Sequence, residues 1–153
     1  MLEAEPGHDG LLTWWLVSPP QPATTGEIKP PQNARENEPL SAGAGKWSLH
    51  ISPARFVDFR ERLRGGGAYV WAAARIHSQT GGKRKLRAGS YCGLRVYQDG
   101  KLVLDKPQPS TPYSDERSSE IDLPKGVSEL VVCATVRWGF CGFQLNLTAG
   151  GNR

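Results

Sequence analysis

The sequence lacks any hydrophobic run long enough to cross a membrane as a helix. Its longest uninterrupted apolar runs are residues 70–74 and 130–134, whereas a membrane-spanning helix needs about 20 apolar residues. The first eight residues are acidic and polar, whereas a secretory signal begins basic and continues apolar. We therefore expect no membrane insertion and no signal peptide in this sequence, so that the chain is either cytoplasmic or part of a larger exported protein.

The sequence also lacks a strong charge bias and the common catalytic motifs. Nineteen Lys and Arg against fifteen Asp and Glu give a net charge of only +4. The one dense basic cluster, Lys83, Arg84, Lys85 and Arg87, has no interleaved exposed aromatic residues, so we interpret it as solvated and expect no nucleic-acid partner. Only three histidines occur, with no nucleophile elbow, zinc-protease motif or phosphate-binding glycine loop. These absences predict a non-enzymatic protein without cofactor or metal.

The sequence contains enough residues for one domain, because a chain of 153 residues falls within the usual range of about 100 to 200 per domain. We predict a first strand at 12–17, followed by a long Pro-rich loop at 19–45. A loop of this length in a compact domain is usually either functional or loosely ordered. We expect a single domain at 12–148, with flexible tails at 1–11 and 149–153.

From residue 68 onward the pattern predicts successive strands. Short segments rich in β-branched and aromatic residues are bounded by turn residues, at 68–78, 85–91, 94–98, 101–105, 118–123, 127–136 and 141–148. Asp99-Gly100 predicts a tight hairpin, because both residues tolerate positive φ. One short helix is expected after Ser52, since Phe56, Phe59 and Leu63 recur at helical spacing before Gly65. With no room for crossover helices between strands, the fold class is all-β, an antiparallel two-sheet β-sandwich.

Several motifs resemble a known group of domains. Gly89-Ser90 leads to residues 93–96 and the hairpin at 99–101, and residues 123–126 form a turn before Leu130. With the entry strand at 15–20, these features resemble the PA14-like and jelly-roll carbohydrate-binding domains of exported bacterial enzymes and lectins. The resemblance implies a jelly-roll sandwich that serves as an extracytoplasmic accessory module, in the periplasm, at the cell surface or secreted.

The sequence departs from that group at one point. Tyr91-Cys92 stands where PA14-type lectins often carry an Asp-Asp pair that binds calcium. Calcium prefers six to eight oxygen ligands, so we do not expect a calcium-dependent sugar site of that type.

Strand alternation gives each cysteine a direction. Cys92 shares a face with inward residues, as does Cys141, whereas Cys133 points outward. If these positions pair as in the resembling domains, Cys92 and Cys141 meet near one end of the sandwich. Three alternatives follow: a Cys92–Cys141 disulfide, two reduced thiols, or a pairing with Cys133. A disulfide would favour an exported protein.

Aromatic residues provide the candidate ligand-binding site. Trp14 and Trp15 are adjacent on a strand, so one faces away from the core, and Tyr97 alternates with inward Val96 and is expected to face outward beside Arg95. Flat rings beside polar groups suit a sugar, which has one apolar face and a rim of hydroxyls. The candidate residues, including two in predicted loops, are Trp138, Tyr113, Tyr97, Arg95 and Trp14.

Two functions remain open at this point. The first is a non-catalytic carbohydrate-binding module of a larger exported bacterial protein, with a polysaccharide or glycan as partner. The second is a structural or protein-interaction domain of a larger assembly, in which the same exposed rings contact a protein. For the rings themselves, packing under the Pro-rich loop is the alternative to ligand binding. A groove lined by separated rings and amides would favour sugar, and a large contiguous apolar patch would favour a protein.

Overall fold

The computed structural model describes residues 14–22, 28–51, 57–58, 69–90, 93–106, 117–135 and 142–149. In these ranges the chain forms ten strands and no helix, and therefore no helix long and apolar enough to cross a membrane. The strands are β1 (Trp14–Val17), β2 (Ser48–Ile51), β3 (Val57–Asp58), β4 (Tyr69–Ser78), β5 (Gly82–Ser90), β6 (Leu94–Gln98), β7 (Lys101–Lys106), β8 (Arg117–Leu123), β9 (Gly126–Thr135) and β10 (Gly142–Ala149).

The strands form two antiparallel sheets. Within the described ranges, one sheet has six strands in the order β2-β1-β4-β9-β6-β7, and the other has four in the order β3-β10-β5-β8. Every strand pair is antiparallel. The predicted all-β, antiparallel two-sheet sandwich is therefore confirmed.

The core between the sheets is built by alternation along each strand. On β4 the side chains of Val70, Ala72 and Ala74 face the four-stranded sheet, from which Leu86 and Leu145 of neighbouring strands face back. Trp15 meets Phe143 of the opposite sheet edge to face, with ring centroids 5.0 Å apart. Such an aromatic pair stabilises the fold beyond the burial of its apolar area. This contact therefore joins the two sheets within the core.

A second apolar cluster covers the other face of the six-stranded sheet. Here Tyr69, Trp71 and Ala73 of β4 face outward, and they pack with Leu40 and Trp47 from the segment that precedes β2. The Pro-rich loop therefore forms a third layer, and β4 is buried on both faces. This arrangement explains the near-continuous apolar sequence of β4, which is typical of a strand covered on both sides.

One carboxylate anchors this loop to the sheet. The oxygens of Glu129, on β9, accept hydrogen bonds from the backbone N–H groups of Asn33 at 2.9 Å and Ala34 at 3.0 Å. The Arg75 guanidinium lies 3.7 Å from the same carboxylate, and the two side chains are only 10% and 12% exposed. Each buried charge thus has a partner, and the loss of either partner would leave the other charge buried and uncompensated.

The predicted Asp99-Gly100 hairpin is confirmed. Both residues have positive φ, 48° and 87°, as a type I′ turn requires. The Asp99 carboxylate accepts hydrogen bonds from the Ser128 hydroxyl at 2.6 Å and the Glu129 N–H at 2.9 Å. The turn is therefore fixed to the start of β9, next to the residue that anchors the loop.

The predicted short helix is wrong where the structure describes it. Val57 and Asp58 form β3, which pairs with Phe143 and Gly142 of β10. Pairing with a sheet edge outweighs the weak helix preference of a short segment, because helix propensity is easily overridden by tertiary contacts. The other residues of the predicted helix lie outside the described ranges.

Candidate functional site

Most of the predicted site residues lie outside the described ranges. This applies to Trp138 and Tyr113, and also to the proposed disulfide partners Cys92 and Cys141. The backbone of Trp14 belongs to β1 and pairs with Ile51 of β2. For these five residues, the ligand-binding and disulfide roles stay predictions.

Tyr97 and Arg95 do lie together. Both are on the outer face of β6, as alternation predicts, and their side chains form a hydrogen bond. The Tyr97 ring, however, is only 8% exposed, and it packs against Trp71 at 6.1 Å in the cluster beneath the Pro-rich loop. The expectation of an exposed ring is therefore wrong, because the loop covers this face of the sheet.

Cys133 faces outward from the core, as alternation predicts. Its thiol is buried in the cluster beneath the loop and forms no disulfide. Of the three alternatives for the cysteines, the pairing with Cys133 is thus wrong. The choice between a Cys92–Cys141 disulfide and two reduced thiols stays open.

The structure places a groove at the edge of the loop layer, which we call the loop groove. Its volume is about 430 Å³, within the range of about 300 to 1,000 Å³ that small-molecule sites occupy. Tyr69 and Trp71 form its aromatic side, with ring centroids 5.7 Å apart and planes at 90°. The lining residues are Gln21, Pro22, Ile28, Lys29, Ala42, Gly43, Ala44, Tyr69 and Trp71.

Gln21 holds the two sides of the loop groove together. Its amide donates to the carbonyls of Pro19 and Ala44 at 2.8 Å each, and its oxygen accepts from the Ala44 N–H at 2.8 Å. Its backbone N–H donates to the Tyr69 carbonyl at 2.8 Å. Gly43 has φ of 115°, and a Cβ there would lie 2.9 Å from the Gln21 side-chain oxygen. The groove wall therefore requires glycine at this position.

The groups that line the loop groove suit a neutral or weakly polar ligand. Burial raises the pKa of the Tyr69 hydroxyl above 10.0, and the nearby Cys133 thiol raises it further, so this hydroxyl stays protonated at neutral pH and can donate a hydrogen bond. Lys29 is an exposed cation at the rim. Together these groups provide an apolar ring surface, a phenol donor and a flexible ammonium group.

Stability should decrease at high pH because of the second buried tyrosine. Burial raises the pKa of Tyr97 above 10.0, Cys133 adds to this, and Arg95 partly offsets it. A pKa raised by folding means that the unfolded chain loses the proton first, so the free energy of unfolding should fall as the pH rises above 10.0 toward the folded pKa. Urea unfolding of the protein and of Tyr97→Phe, below and above pH 10.0, measures this. A decrease equally steep in Tyr97→Phe would contradict the assignment to Tyr97.

In the described ranges, no three His, Cys, Asp or Glu side chains converge on a point that could hold a metal ion.

Sequence reasoning did not identify the residues of the loop groove. Gln21, Tyr69 and Trp71 come together only because the segment after β1 crosses the start of β4, where Gln21 and Tyr69 form an isolated bridge. One signal was present: the apolar run within β4 predicts a strand covered on both faces. Only the Pro-rich loop was long enough to provide the second cover.

Comparisons with known proteins agree on the fold class. No protein-family model and no curated protein matches the sequence. Among solved structures, the fold is similar to part of a β-glucosidase from Kluyveromyces marxianus, with a TM-score of 0.58 and 15% identity over 91% of this chain and 16% of that one.

Two further structures show the same likeness. A GH2 β-galacturonidase from Eisenbergiella tayi, bound to glycerol, has a TM-score of 0.56 and 13% identity, covering 92% of this chain and 24% of that one. A β-glucuronidase from an uncultured Clostridium species has a TM-score of 0.52 and 12% identity, covering 91% and 28%. The chain thus shares its β-sandwich fold with a part of each of these sugar-processing enzymes, and spans less than a third of their length.

Proposed function

We propose that this chain is a non-catalytic carbohydrate-binding β-sandwich domain, and that the loop groove is its binding site. The observation that supports this most directly is the composition of the groove. The groove is lined by the Tyr69 ring with its hydroxyl, which packs on the buried Trp71 ring, and by the Lys29 ammonium group. A saccharide is recognised by this combination, since its apolar face contacts a ring while its hydroxyls bind polar groups.

The comparisons support the same proposal. The three similar structures are a β-glucosidase, a β-galacturonidase and a β-glucuronidase, and the sandwich corresponds to 16%, 24% and 28% of their chains. The small share of each enzyme that the sandwich covers supports an accessory role in a larger chain. We therefore infer that the chain works as part of a larger, extracytoplasmic bacterial protein, as the resemblance to PA14-like and jelly-roll domains implies.

The first experiment is affinity electrophoresis of the 153-residue protein through gels containing different neutral polysaccharides. At least one polysaccharide should retard the protein, and Tyr69→Ala should abolish most of the retardation, because it removes a ring from the loop groove. Lys29→Ala should weaken the retardation, with little effect on folding because Lys29 is exposed.

Matched substitutions locate the site. Tyr97→Ala removes a ring from the same buried cluster but does not line the groove, so it should leave retardation nearly unchanged provided that circular dichroism shows a folded protein. Trp138→Ala and Tyr113→Ala test the loops predicted from the sequence. If only these two variants lose retardation, the binding site lies there and not in the loop groove. If no polysaccharide retards the protein, the carbohydrate proposal fails.

A second candidate function is docking against another protein domain. Leu49 and Ile51, on edge strand β2, share one face and are 37% and 50% exposed. An unpaired strand edge with apolar side chains is a common site of protein contact. This candidate predicts that Leu49→Ser and Ile51→Ser change association with the parent protein and leave polysaccharide retardation unchanged.

A further inference from the structure

A second depression lies at the opposite end of β4 from the loop groove. We call it the end pocket. It has a volume of about 280 Å³, and it is lined mainly by the β4–β5 hairpin, including His77, Ser78, Gln79, Thr80 and Arg84. Every one of these side chains has a polar group, so the chemistry of the end pocket differs from that of the loop groove.

Arg84 has an unusual position for a charged residue. Along β5, Lys83 and Lys85 alternate with it and therefore lie on the outer face of the sheet. Arg84 lies on the inner face, in register with Ile121, which is buried in the core. Its side chain therefore lies between the two sheets, at the end of the sandwich where the end pocket is found.

The hydrogen bonds of Arg84 leave one edge of the guanidinium available. Nη1 donates to the carbonyls of Gly81 at 3.3 Å and Lys83 at 3.0 Å, and Nη2 makes a long contact to the Ser78 hydroxyl at 3.5 Å. A guanidinium has five N–H donors. In the described part of the chain, Nε, which lies on the same edge of the guanidinium as Nη2, has no acceptor, and Nη2 has one N–H group beyond its long contact to Ser78.

The charge of Arg84 is also uncompensated by a carboxylate among the described residues. The acidic side chains of the neighbouring strand, Glu120 and Asp122, alternate to the outer face of the sheet, where Glu120 pairs with Lys83 at 3.4 Å. Within the described ranges, the hydrogen-bond partners of Arg84 are all neutral oxygens. An arginine of this kind, beside apolar residues and facing a pocket, favours an anion, because charge-assisted bonds are strong where water is partly excluded.

The backbone around the end pocket is closely packed. Gly81 has φ of 69°, and a Cβ there would lie 2.9 Å from both the Leu123 carbonyl oxygen and the Lys125 amide nitrogen. The Gly81 N–H also donates to the Ser78 hydroxyl at 2.8 Å. The hairpin is thus held against the β8–β9 turn, and the guanidinium is positioned before any ligand arrives.

We propose that the end pocket binds the carboxylate of an acidic saccharide, through the Nε and Nη2 edge of Arg84. A carboxylate presents two oxygens in a plane, and it matches this edge with two parallel hydrogen bonds. Thr80 and Gln79 also line the end pocket and provide a hydroxyl and an amide group for the sugar hydroxyls. The saccharide part of this inference rests on the proposed function, whereas the anion site rests on Arg84 alone.

The two sites are far enough apart to be tested separately. Tyr69 and Ser78 are the first and last residues of β4, and at a rise of about 3.4 Å per residue they lie about 30 Å apart. A substitution at Arg84 should therefore leave the loop groove unchanged.

The test is calorimetric titration of the 153-residue protein with short oligomers of galacturonic acid, with their methyl esters, and with sodium sulfate. We expect the acid oligomers to bind and the methyl esters to bind at least about tenfold more weakly, the loss typical of a charge-assisted hydrogen bond. Arg84→Gln should lose at least about tenfold in affinity, and Arg84→Lys, which keeps the charge without the paired donors, should be intermediate. Lys85→Gln, the same change of charge on the outer face, should change affinity less than about twofold.

Other outcomes would overturn the inference. Equal losses of affinity in Arg84→Gln and Lys85→Gln would mean that the basic cluster attracts the oligomers by its overall charge and not through a site at Arg84. Sulfate binding as tight as that of the oligomers would mean a site for a free anion and not for a saccharide. Neutral polysaccharide binding without acid-oligomer binding would overturn this inference while leaving the proposed function intact. Acid-oligomer binding that depends on Arg84, without binding of any neutral polysaccharide, would support the end pocket and overturn the loop groove.

Discussion

Replacement of Glu129 by alanine is expected to lower the free energy of unfolding by about 3 kcal/mol. The substitution removes the only carboxylate near Arg75 among the described residues and leaves two backbone donors of the loop, those of Asn33 and Ala34, without their acceptor. A buried charge that has lost its partner is costly, because burial has removed its water while nothing replaces the lost contact. Urea unfolding followed by tryptophan fluorescence measures the effect.

A matched control is available for this prediction. Glu120→Ala also removes a carboxylate from an ion pair, but the side chains of Lys83 and Glu120 are 65% and 55% exposed, so its effect should be under about 1 kcal/mol. Hydrogen exchange should also increase at the Asn33 and Ala34 amides in Glu129→Ala and not in Glu120→Ala. Equal destabilisation by the two substitutions would contradict the anchoring role of Glu129.

Replacement of Phe143 by alanine should cost about 4 kcal/mol. The ring is fully buried between the sheets and packs edge to face on Trp15, so its removal loses apolar burial and leaves a cavity that the rigid strands cannot fill. Trp15→Ala should have a similar effect. The double substitution should be less destabilising than the two single effects added together, by about 1 kcal/mol, because each single change already removes the ring contact.

Chemical unfolding of the three variants measures this coupling. Ile51→Ala, at a side chain that is 50% exposed, serves as the surface control and should change stability by less than about 0.5 kcal/mol. Strict additivity of the two core substitutions would show that the rings do not interact as the structure indicates.

Much of the sandwich was predictable because strands are encoded locally. The predicted limits of β6 match the observed ones, and those of β7, β8, β9 and β10 differ by one residue at most at each end. Turn residues mark these limits. Asp99 and Gly100, for example, adopt the positive φ that ends β6 and begins β7, a conformation that most residues avoid. The short strand β3 was missed because its pairing with β10 depends on residues far away in the sequence.

The candidate sites were less predictable, because they depend on contacts between residues far apart in the sequence and on what covers each face of a strand. The alternation of Tyr97 with Val96 correctly gives its direction, but nothing in that alternation indicates that a loop some sixty residues earlier covers the ring. The basic cluster presents the opposite case. Its residues are similar in sequence, yet alternation along the strand places Lys83 and Lys85 on the outer face of the sheet and Arg84 on the inner face, at the end of the core.

The charges of β8 also affect how copies of this protein behave at high concentration. Strand β8 forms one edge of the four-stranded sheet, where unpaired backbone groups can recruit a second strand. Glu120 and Asp122 project from the same face of this edge, so that two copies pairing antiparallel through β8 would bring their carboxylates close together. Like charges in neighbouring cross-strand positions are destabilising, and this edge therefore resists the growth of a continuous sheet from one molecule to the next.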